Sequence, residues 1–322
     1  MFVRAGVIFT LIKCKNIGVI GATSPVGKSI VKHLLDDYSL TITYRNISFI
    51  PQQFLNHPDI KCVYVDLTSI TPFDKKEFQH CHTIIWVAHI LQSDEKEIIL
   101  NEQAIQSFFS ILPDTSIERI IYISSGGSIY GKPLILPIPE SHQLNPISSY
   151  GKAKKKIEQL LIQLHEQTET ALAILRPSNI YGPESLTGRS KGIISSYIQS
   201  IIYHKPFTII GNKNAIRDFL HIDDFTKAVQ YTLNSQENKI IWNVGTEIGY
   251  SVIHVMGLIS KYLKKTPPQI NQSIEKNSVI LVNILSNKKI MSESNWMFSV
   301  SLETGIQRLI EQLVLKEKGN CL

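Results

Sequence analysis

Asn16-Ile17-Gly18-Val19-Ile20 leads directly into Gly21-Ala22-Thr23-Ser24-Pro25-Val26-Gly27, and then into Lys28 to Asp37, where Ile30, Val31, Leu34 and Leu35 recur at helical spacing. The opening residues are a short apolar run that stops at a glycine, the pattern of a strand buried on both faces. Strand, glycine turn and helix in that order give the glycines a structural meaning. Gly21 permits the tight turn, and Gly27 lets the helix approach the strand closely. Backbone N–H groups at the helix start can then hold a pyrophosphate. Pro25 suits the first helical turn, where its missing N–H costs nothing. Gly21, Ser24, Pro25, Val26 and Gly27 are therefore the candidate cofactor-binding turn.

Further strands are expected at Leu40 to Tyr44, Lys61 to Val65, Thr83 to Ala88, Arg119 to Ser124 and Ala171 to Leu175, with helices between them, notably Asp94 to Ile111 and Tyr150 to Glu169. Strands alternating with helices at this spacing predict an α/β fold: a doubly wound parallel sheet covered on both faces. Ligands should bind beyond the carboxyl ends of its strands. After Arg176-Pro177 the alternation loosens. Residues 1–176 are read as the dinucleotide-binding domain and 177–322 as a smaller C-terminal α/β substrate domain, with segments returning to the first. Helices are expected there at Lys191 to His204, Asp223 to Leu233, Ser251 to Leu263 and Leu302 to Lys316, and strands at Phe207 to Ile210, Asp218 to His221 and Ile240 to Val244.

The 322 residues are 43% hydrophobic and 19% charged, an ordinary globular balance. The net charge of +6 suits an anionic ligand, but no basic-aromatic interleaving points to nucleic acid. Cys14, Cys62, Cys81 and Cys321 form no CxxC pair, and His80-Cys81-His82 lacks a partner cluster, so neither a disulfide framework nor a metal site is expected. Met1 to Ile12 is short for a signal peptide and reads as an extra strand, a frayed tail or a mis-assigned start. No apolar run reaches the ~18 residues of a membrane span. A cytoplasmic protein with no membrane partner is the expectation.

Tyr150 and Lys154 stand four residues apart on a helical stretch, so their side chains share one face. A free tyrosine titrates near ~10, and a nearby ammonium favours its phenolate. Tyr150 is thereby a candidate acid/base for a sugar hydroxyl, tuned by Lys154. Ser124-Ser125-Gly126-Gly127-Ser128-Ile129-Tyr130-Gly131 ends the fourth strand with hydroxyls, and Ser128 or Ser125 is expected to complete the proton path. Tyr44-Arg45-Asn46 ends the second strand, where an acidic residue would accept ribose hydroxyls. Arg45 can pair instead with a 2′-phosphate, which favours NADP(H) over NAD(H). Asp66 is a candidate acceptor for an adenine amino group, with Leu67 against the ring.

Taken together, Gly21 to Gly27, SSGGSIYG, Asn145-Pro146-Ile147-Ser148-Ser149-Tyr150-Gly151-Lys152-Ala153-Lys154, Arg176-Pro-Ser-Asn-Ile-Tyr-Gly-Pro183 and Arg217-Asp-Phe-Leu-His-Ile-Asp-Asp224 resemble the extended short-chain dehydrogenase/reductase family. The nearest branch is that of nucleotide-sugar epimerases and dehydratases typified by UDP-glucose 4-epimerase, and the likeness covers roughly residues 16 to 255. The resemblance implies a Rossmann sheet, NAD or NADP as cofactor, and a UDP- or dTDP-linked sugar as substrate. It implies that Tyr150 is the catalytic acid/base, that Lys154 holds the nicotinamide ribose, that Asn179 contacts the diphosphate and that Arg217 clamps it. It further implies a homodimer built on helices Asp94–Ile111 and Ser148–Gln167. Two positions depart from the family pattern. Ser24 replaces a glycine, and Gly126 stands where the family has its catalytic Ser or Thr, so Ser128, or failing it Ser125, must supply the hydroxyl.

Family members that eliminate water or carbon dioxide carry acidic residues directly after that Ser or Thr. Gly127 and Ser128 offer none. Two reactions remain: a 4-epimerase that removes and returns hydride at C4 through a 4-keto sugar, favoured by the motif set, and an NADPH-dependent 4-ketoreductase, favoured by Arg45. A non-catalytic dinucleotide-binding regulator is a third expectation, resting on Ser24 and Gly126.

Overall fold

The computed structural model describes residues 15–69, 72–168, 170–186, 192–273 and 280–319. The readings of Met1 to Ile12, Cys14 and Cys321 lie outside the described residues. In the first half, β1 (Asn16–Ile20), α1 (Pro25–Leu34), β2 (Ser39–Tyr44), α2 (Gln52–Leu55), β3 (Ile60–Tyr64), α3 (Lys75–Phe78), β4 (Cys81–Trp86), α4 (Asp94–Phe109), β5 (Arg119–Ile123), α5 (Gly126–Ile129), α6 (Ser149–Thr168) and β6 (Ala171–Pro177) follow one another. Then come β7 (Asn179–Tyr181), α7 (Ile193–Ile202), β8 (Phe207–Ile210), β9 (Ile216–His221), α8 (Ile222–Asn234), β10 (Lys239–Val244), β11 (Gly249–Ser251), α9 (Val252–Leu263), β12 (Ile270–Ser273), β13 (Val282–Asn283), α10 (Lys288–Glu293) and α11 (Leu302–Gly319).

Seven strands form one sheet in the order β10-β6-β5-β4-β1-β2-β3, every neighbouring pair parallel. Such a sheet must hide both faces, which is why β1, β4, β5 and β6 are apolar without alternation. One face carries α1 and α8, with Ile30, Val31, Leu34, Phe225 and Val229 packed on Ile17, Val19 and Ile42. The other carries α4 and α6, with Ile105, Phe108, Ile157 and Leu161 packed on Ile20, Ile84 and Trp86. The order in which the chain adds strands reverses between β1 and β4, so the connections leaving their carboxyl ends part and a ligand crevice is expected there.

The later segments split between two bodies. β9 pairs with β7, β11 and β13, and α7, α9 and α11 close over it around Tyr197, Ile198, Val255, Ile259 and Ile306. β10 instead returns to the first sheet, running beside β6 from Lys239 opposite Leu172 to Val244 opposite Pro177. α8 returns with it and packs on α1. A buried ion pair ties these layers together. Arg176 on β6 donates to the Glu158 carboxylate on α6 at 2.7 Å and to the Tyr130 hydroxyl at 2.9 Å, and Tyr130 donates to Asn243 of β10 at 2.6 Å. Burial pulls the Arg176 pKa down, but Glu158 outweighs it and holds the guanidinium above its ordinary value.

Candidate active site

The turn after β1 sits against the end of β4. Gly21 adopts a φ of 92°, and a β-carbon there would stand 2.6 Å from the Ala88 backbone nitrogen. A β-carbon on Gly27 would collide with the Gly21 carbonyl oxygen. Both glycines are therefore demanded by backbone packing. α1 starts at Pro25, earlier than its apolar periodicity alone suggests, because Ser24 caps it. The Ser24 hydroxyl donates to Gly21 O at 2.8 Å and accepts from Gly27 N at 3.0 Å. The side chain that departs from the family's glycine is thus used to fasten the turn.

The carboxyl ends of β1, β4, β5 and β6 open into a cavity of about 340 Å³. Ser24, Pro25 and Val26 line one side of it, His89, Ser124 and Ser125 the floor, Tyr150 and Lys154 the α6 side, and Ile180 to Ser185 the far wall. Among the residues that line this space, His89, Ser124 and Ser178 each carry a buried polar atom with no hydrogen-bond partner among the described residues. Buried polar atoms normally have a partner, so unpartnered ones in a cavity wall are places where a ligand or a water can bind. With the glycine turn at one end and a phenol, hydroxyls and an ammonium at the other, the donor set fits a dinucleotide. Gly21, Ser24, Pro25, Val26 and Gly27 would flank its pyrophosphate and Lys154 its second ribose.

Tyr150 lies in the first turns of α6, half-buried where it lines this cavity. Burial pushes its pKa up to about 12; the Ser125 hydroxyl works against that shift and Glu97 adds to it. Lys154 is 2% exposed. Its Nζ donates to the Ile123 carbonyl at 2.8 Å and lies 5.6 Å from the Tyr150 ring centre. Burial lowers the Lys154 pKa to about 7, with Glu158 and Glu97 opposing. The expectation that Lys154 makes the phenol acidic is thus corrected for the protein alone. Dehydration sets the phenol's shift, Lys154 is itself only partly charged at neutral pH, and the group that draws the phenol toward ionisation is Ser125.

The sequence reading missed His89 and Glu97. Glu97, on α4, is buried and takes the Nε2–H of His89 at 2.7 Å; Ser149 Oγ and Gln92 N approach its other oxygen, each at 3.4 Å. Asn101, one turn further along α4, donates to Ile90 O at 2.8 Å and accepts from Ile90 N at 2.9 Å. The segment after β4 is thereby clamped at consecutive residues. The His89 ring meets the Tyr150 ring edge to face at 4.7 Å. Burial first, and then the Lys154 charge, lower the His89 pKa to about 3, so the contact with Glu97 is a hydrogen bond from a neutral imidazole. The signal was there: Glu97 and Asn101 occupy the same helical stripe as Ala104, Ile105 and Phe108, polar residues in line with a core face.

The model of the NAD dependent epimerase/dehydratase family matches residues 17–245. The chain belongs to that family. A Methanocaldococcus jannaschii protein provisionally named UDP-glucose 4-epimerase is 27% identical over 298 residues, covering 91% of this chain and 96% of its own. The dTDP-4-dehydro-6-deoxyglucose reductase of Escherichia coli is 29% identical over 238 residues, 74% of each chain. The crystal structure of a UDP-glucose 4-epimerase from Thermotoga maritima, with UDP-glucose, superposes with a TM-score of 0.82 at 20% identity, covering 94% of this chain and 99% of that one.

The remaining residues expected from the epimerase/dehydratase motifs are dispersed. Ser128 is half-buried in α5, outside the cavity lining, and its backbone carbonyl packs on Gly151. Ser125 rather than Ser128 stands at the phenol. Gly126 is enclosed: a β-carbon there would strike Leu285 Cδ1 and stand 3.0 Å from the Arg176 carbonyl oxygen. Arg45 is exposed at the end of β2, and its charge helps to lower the Asp66 pKa. Asp66 Oδ1 accepts the backbone N–H of Thr68 at 3.0 Å and its hydroxyl at 2.7 Å, so this oxygen is engaged in a local turn. Leu67 packs on the core beneath α4 and α6, where an adenine-facing position was expected. Asn179 donates to the Asp218 carbonyl at 2.8 Å and lines a separate space of about 200 Å³. Arg217 donates to the Ile280 carbonyl at 2.7 Å and to Ile216 O at 2.9 Å, and burial lowers its pKa. Asn179 and Arg217 are thus bound to backbone carbonyls rather than gathered with Tyr150. No helix among the described residues is long and apolar enough to cross a membrane.

Proposed function

We propose that this chain is a nucleotide-sugar 4-epimerase that acts at C4 through a 4-keto sugar. The observation that carries the reading is the meeting of Ser125, Tyr150 and Lys154 in one cavity whose other end is the glycine turn and the start of α1. A bound nicotinamide dinucleotide would supply the hydride acceptor and donor. Tyr150 holds the proton at its phenol oxygen. With a pKa near 12 it is protonated at neutral pH, which equips it to donate to a keto oxygen. Ser125 steadies the phenolate, the form that takes the proton from the C4 hydroxyl in the oxidative half, and the phenol so formed returns it to the keto oxygen in the reductive half. Lys154 anchors the ribose end and closes the dry side of the cavity.

Residues 1–176 would bind the dinucleotide and 177–322 the sugar nucleotide, UDP- or dTDP-linked, with Asn179 and Arg217 turning from their carbonyl partners to the diphosphate. α4 and α6, joined on their outer side by Lys156 and Glu102 at 3.3 Å, would form the face of a homodimer. One observation favours a second reading, an NADPH-dependent 4-ketoreductase: exposed Arg45 at the ribose end of β2 offers a partner for a 2′-phosphate.

The test uses UDP- and dTDP-hexoses deuterated at C4, with purified protein and NAD+. Conversion to the 4-epimer with deuterium retained, and no net change in dinucleotide absorbance, is expected. Stoichiometric consumption of NADPH with a 4-keto sugar and no epimerisation would replace this reading with the second. No turnover with either class, despite dinucleotide binding, would leave a non-catalytic regulator.

A further inference from the structure

His89 has a position and a chemical state that the proposed reaction does not use. It follows the end of β4, one residue after Ala88, which touches Gly21. It stands before Tyr150, ring to ring at 4.7 Å, and close enough to Lys154 for that charge to act on it. It therefore lies between the pyrophosphate turn and the phenol–ammonium pair, at the level where a dinucleotide places the ribose between its phosphates and its nicotinamide. Its side chain is 8% exposed, and the carboxylate beside it is 3% exposed.

The proton on the ring can be assigned from its partners. Glu97 presents a carboxylate to Nε2 at 2.7 Å, and a carboxylate only accepts, so Nε2 carries the hydrogen. A neutral imidazole with Nε2–H has a bare lone pair on Nδ1. That atom is buried and has no partner among the described residues, and its residue lines the cavity. Glu97 is itself set in place, since Asn101 on the same helix binds the neighbouring Ile90. In its ammonium form Lys154 can donate to a ribose oxygen but cannot accept. A ribose hydroxyl in this space would thus meet a donor on one side and need an acceptor on the other.

We infer that His89, oriented by Glu97, is a cofactor-positioning residue whose Nδ1 accepts a hydrogen bond from a hydroxyl of the nicotinamide-side ribose, opposite Lys154. The inference rests on the dinucleotide-binding part of the proposed function and not on the identity of the sugar. It makes His89 and Lys154 an acceptor–donor pair that fixes the ribose, and with it the nicotinamide face turned toward Tyr150.

Binding is measured calorimetrically on the full chain, with NAD+ and with an NAD+ analogue whose nicotinamide-side ribose lacks both hydroxyls. His89→Phe keeps an aromatic ring against Tyr150 and removes the acceptor. His89→Asn keeps an acceptor near the Nδ1 position. Loss of one such hydrogen bond should weaken NAD+ binding roughly 3- to 10-fold in His89→Phe. His89→Asn should recover most of that loss, and the analogue should bind the wild type and His89→Phe alike. Unchanged NAD+ affinity in His89→Phe overturns the inference. So does an equal loss for NAD+ and the analogue, which would mark a packing effect. If the wild type binds neither NAD+ nor NADP+, the dinucleotide reading falls and takes this inference with it. If it binds NAD+ as described but turns over no sugar nucleotide, only the epimerase reading falls.

Discussion

The Lys154 ammonium nitrogen stands 5.6 Å from the centre of the Tyr150 ring, yet its hydrogen bond goes to the Ile123 carbonyl. The pair on one helix face is therefore a geometric pair before it is an electrostatic one. In the protein alone the phenol is held neutral by burial, and the lysine is pulled toward neutrality by the same cause. Both groups become competent when something charged or hydrogen-bonding enters between them.

Tyr150→Phe removes the titrating hydroxyl and little else. It should lower kcat roughly 100- to 10,000-fold while leaving NAD+ affinity near the wild-type value. Steady-state kinetics beside calorimetry check both halves. A variant that keeps most of its kcat would remove Tyr150 from the proton path.

Ser125 and Ser128 are separable by single substitutions. Ser125→Ala should lower kcat about 100-fold, the scale of one lost donor at a developing anion. Ser128→Ala should stay near wild type. The reverse ranking would show that the hydroxyl on α5, and not the one before it, serves Tyr150.

Lys154 links stability to pH. Its folded-state pKa is lowered to about 7 from an ordinary 10.5. Between those values the unfolded chain binds a proton that the folded one does not, so stability rises with pH. Without cofactor, wild type should gain on Lys154→Met from pH 7 to 9.5, with a slope approaching ~1.4 kcal/mol per pH unit. Denaturant titrations at several pH values read it directly. Parallel curves would place the lysine pKa at its solution value.

Much of this was legible in the sequence, for definite reasons. The β1–turn–α1 unit was readable because a buried parallel strand is apolar without alternation and because Gly21 and Gly27 have no substitutes. The start of α1 at Pro25 was readable from the proline rather than from apolar periodicity, which begins only at Ile30 and says nothing about the Ser24 cap. Strands of two or three residues, such as β7, β11 and β13, are too short to display a period. The choice between Ser125 and Ser128 depended on a backbone path that residue spacing does not encode. His89 and Glu97 are eight positions apart across a bend, and only the misplaced polarity of Glu97 and Asn101 on α4 pointed to them.

Gly126→Ser would restore a hydroxyl where the family carries one, but the space is occupied by Leu285 and the Arg176 carbonyl. It should destabilise the protein by about 1–3 kcal/mol, the range for overpacking. Combined with Leu285→Ala it should cost less than the two single changes added together. Thermal unfolding of the four proteins measures the coupling, and simple additivity would mean that Gly126 has room to spare.

Glu158→Gln leaves the buried Arg176 charge without its carboxylate. A loss of about 3–5 kcal/mol is expected, as for other broken internal ion pairs. Glu158→Met with Arg176→Met should recover much of it. A single variant as stable as wild type would mean that Tyr130 and backbone carbonyls alone suffice for the guanidinium.

The seventh strand bears on synthesis. A ribosome releases β1 to β6 long before Lys239 to Val244 emerges, and until then β6 presents a raw row of amides and carbonyls along an oily border. A nascent chain paused near residue 177, or a gene cut there, would be left with a sticky seam that other copies can zip onto. Splitting this protein into two expressed pieces should therefore work only when both are made together, with the later piece delivering the closing strand.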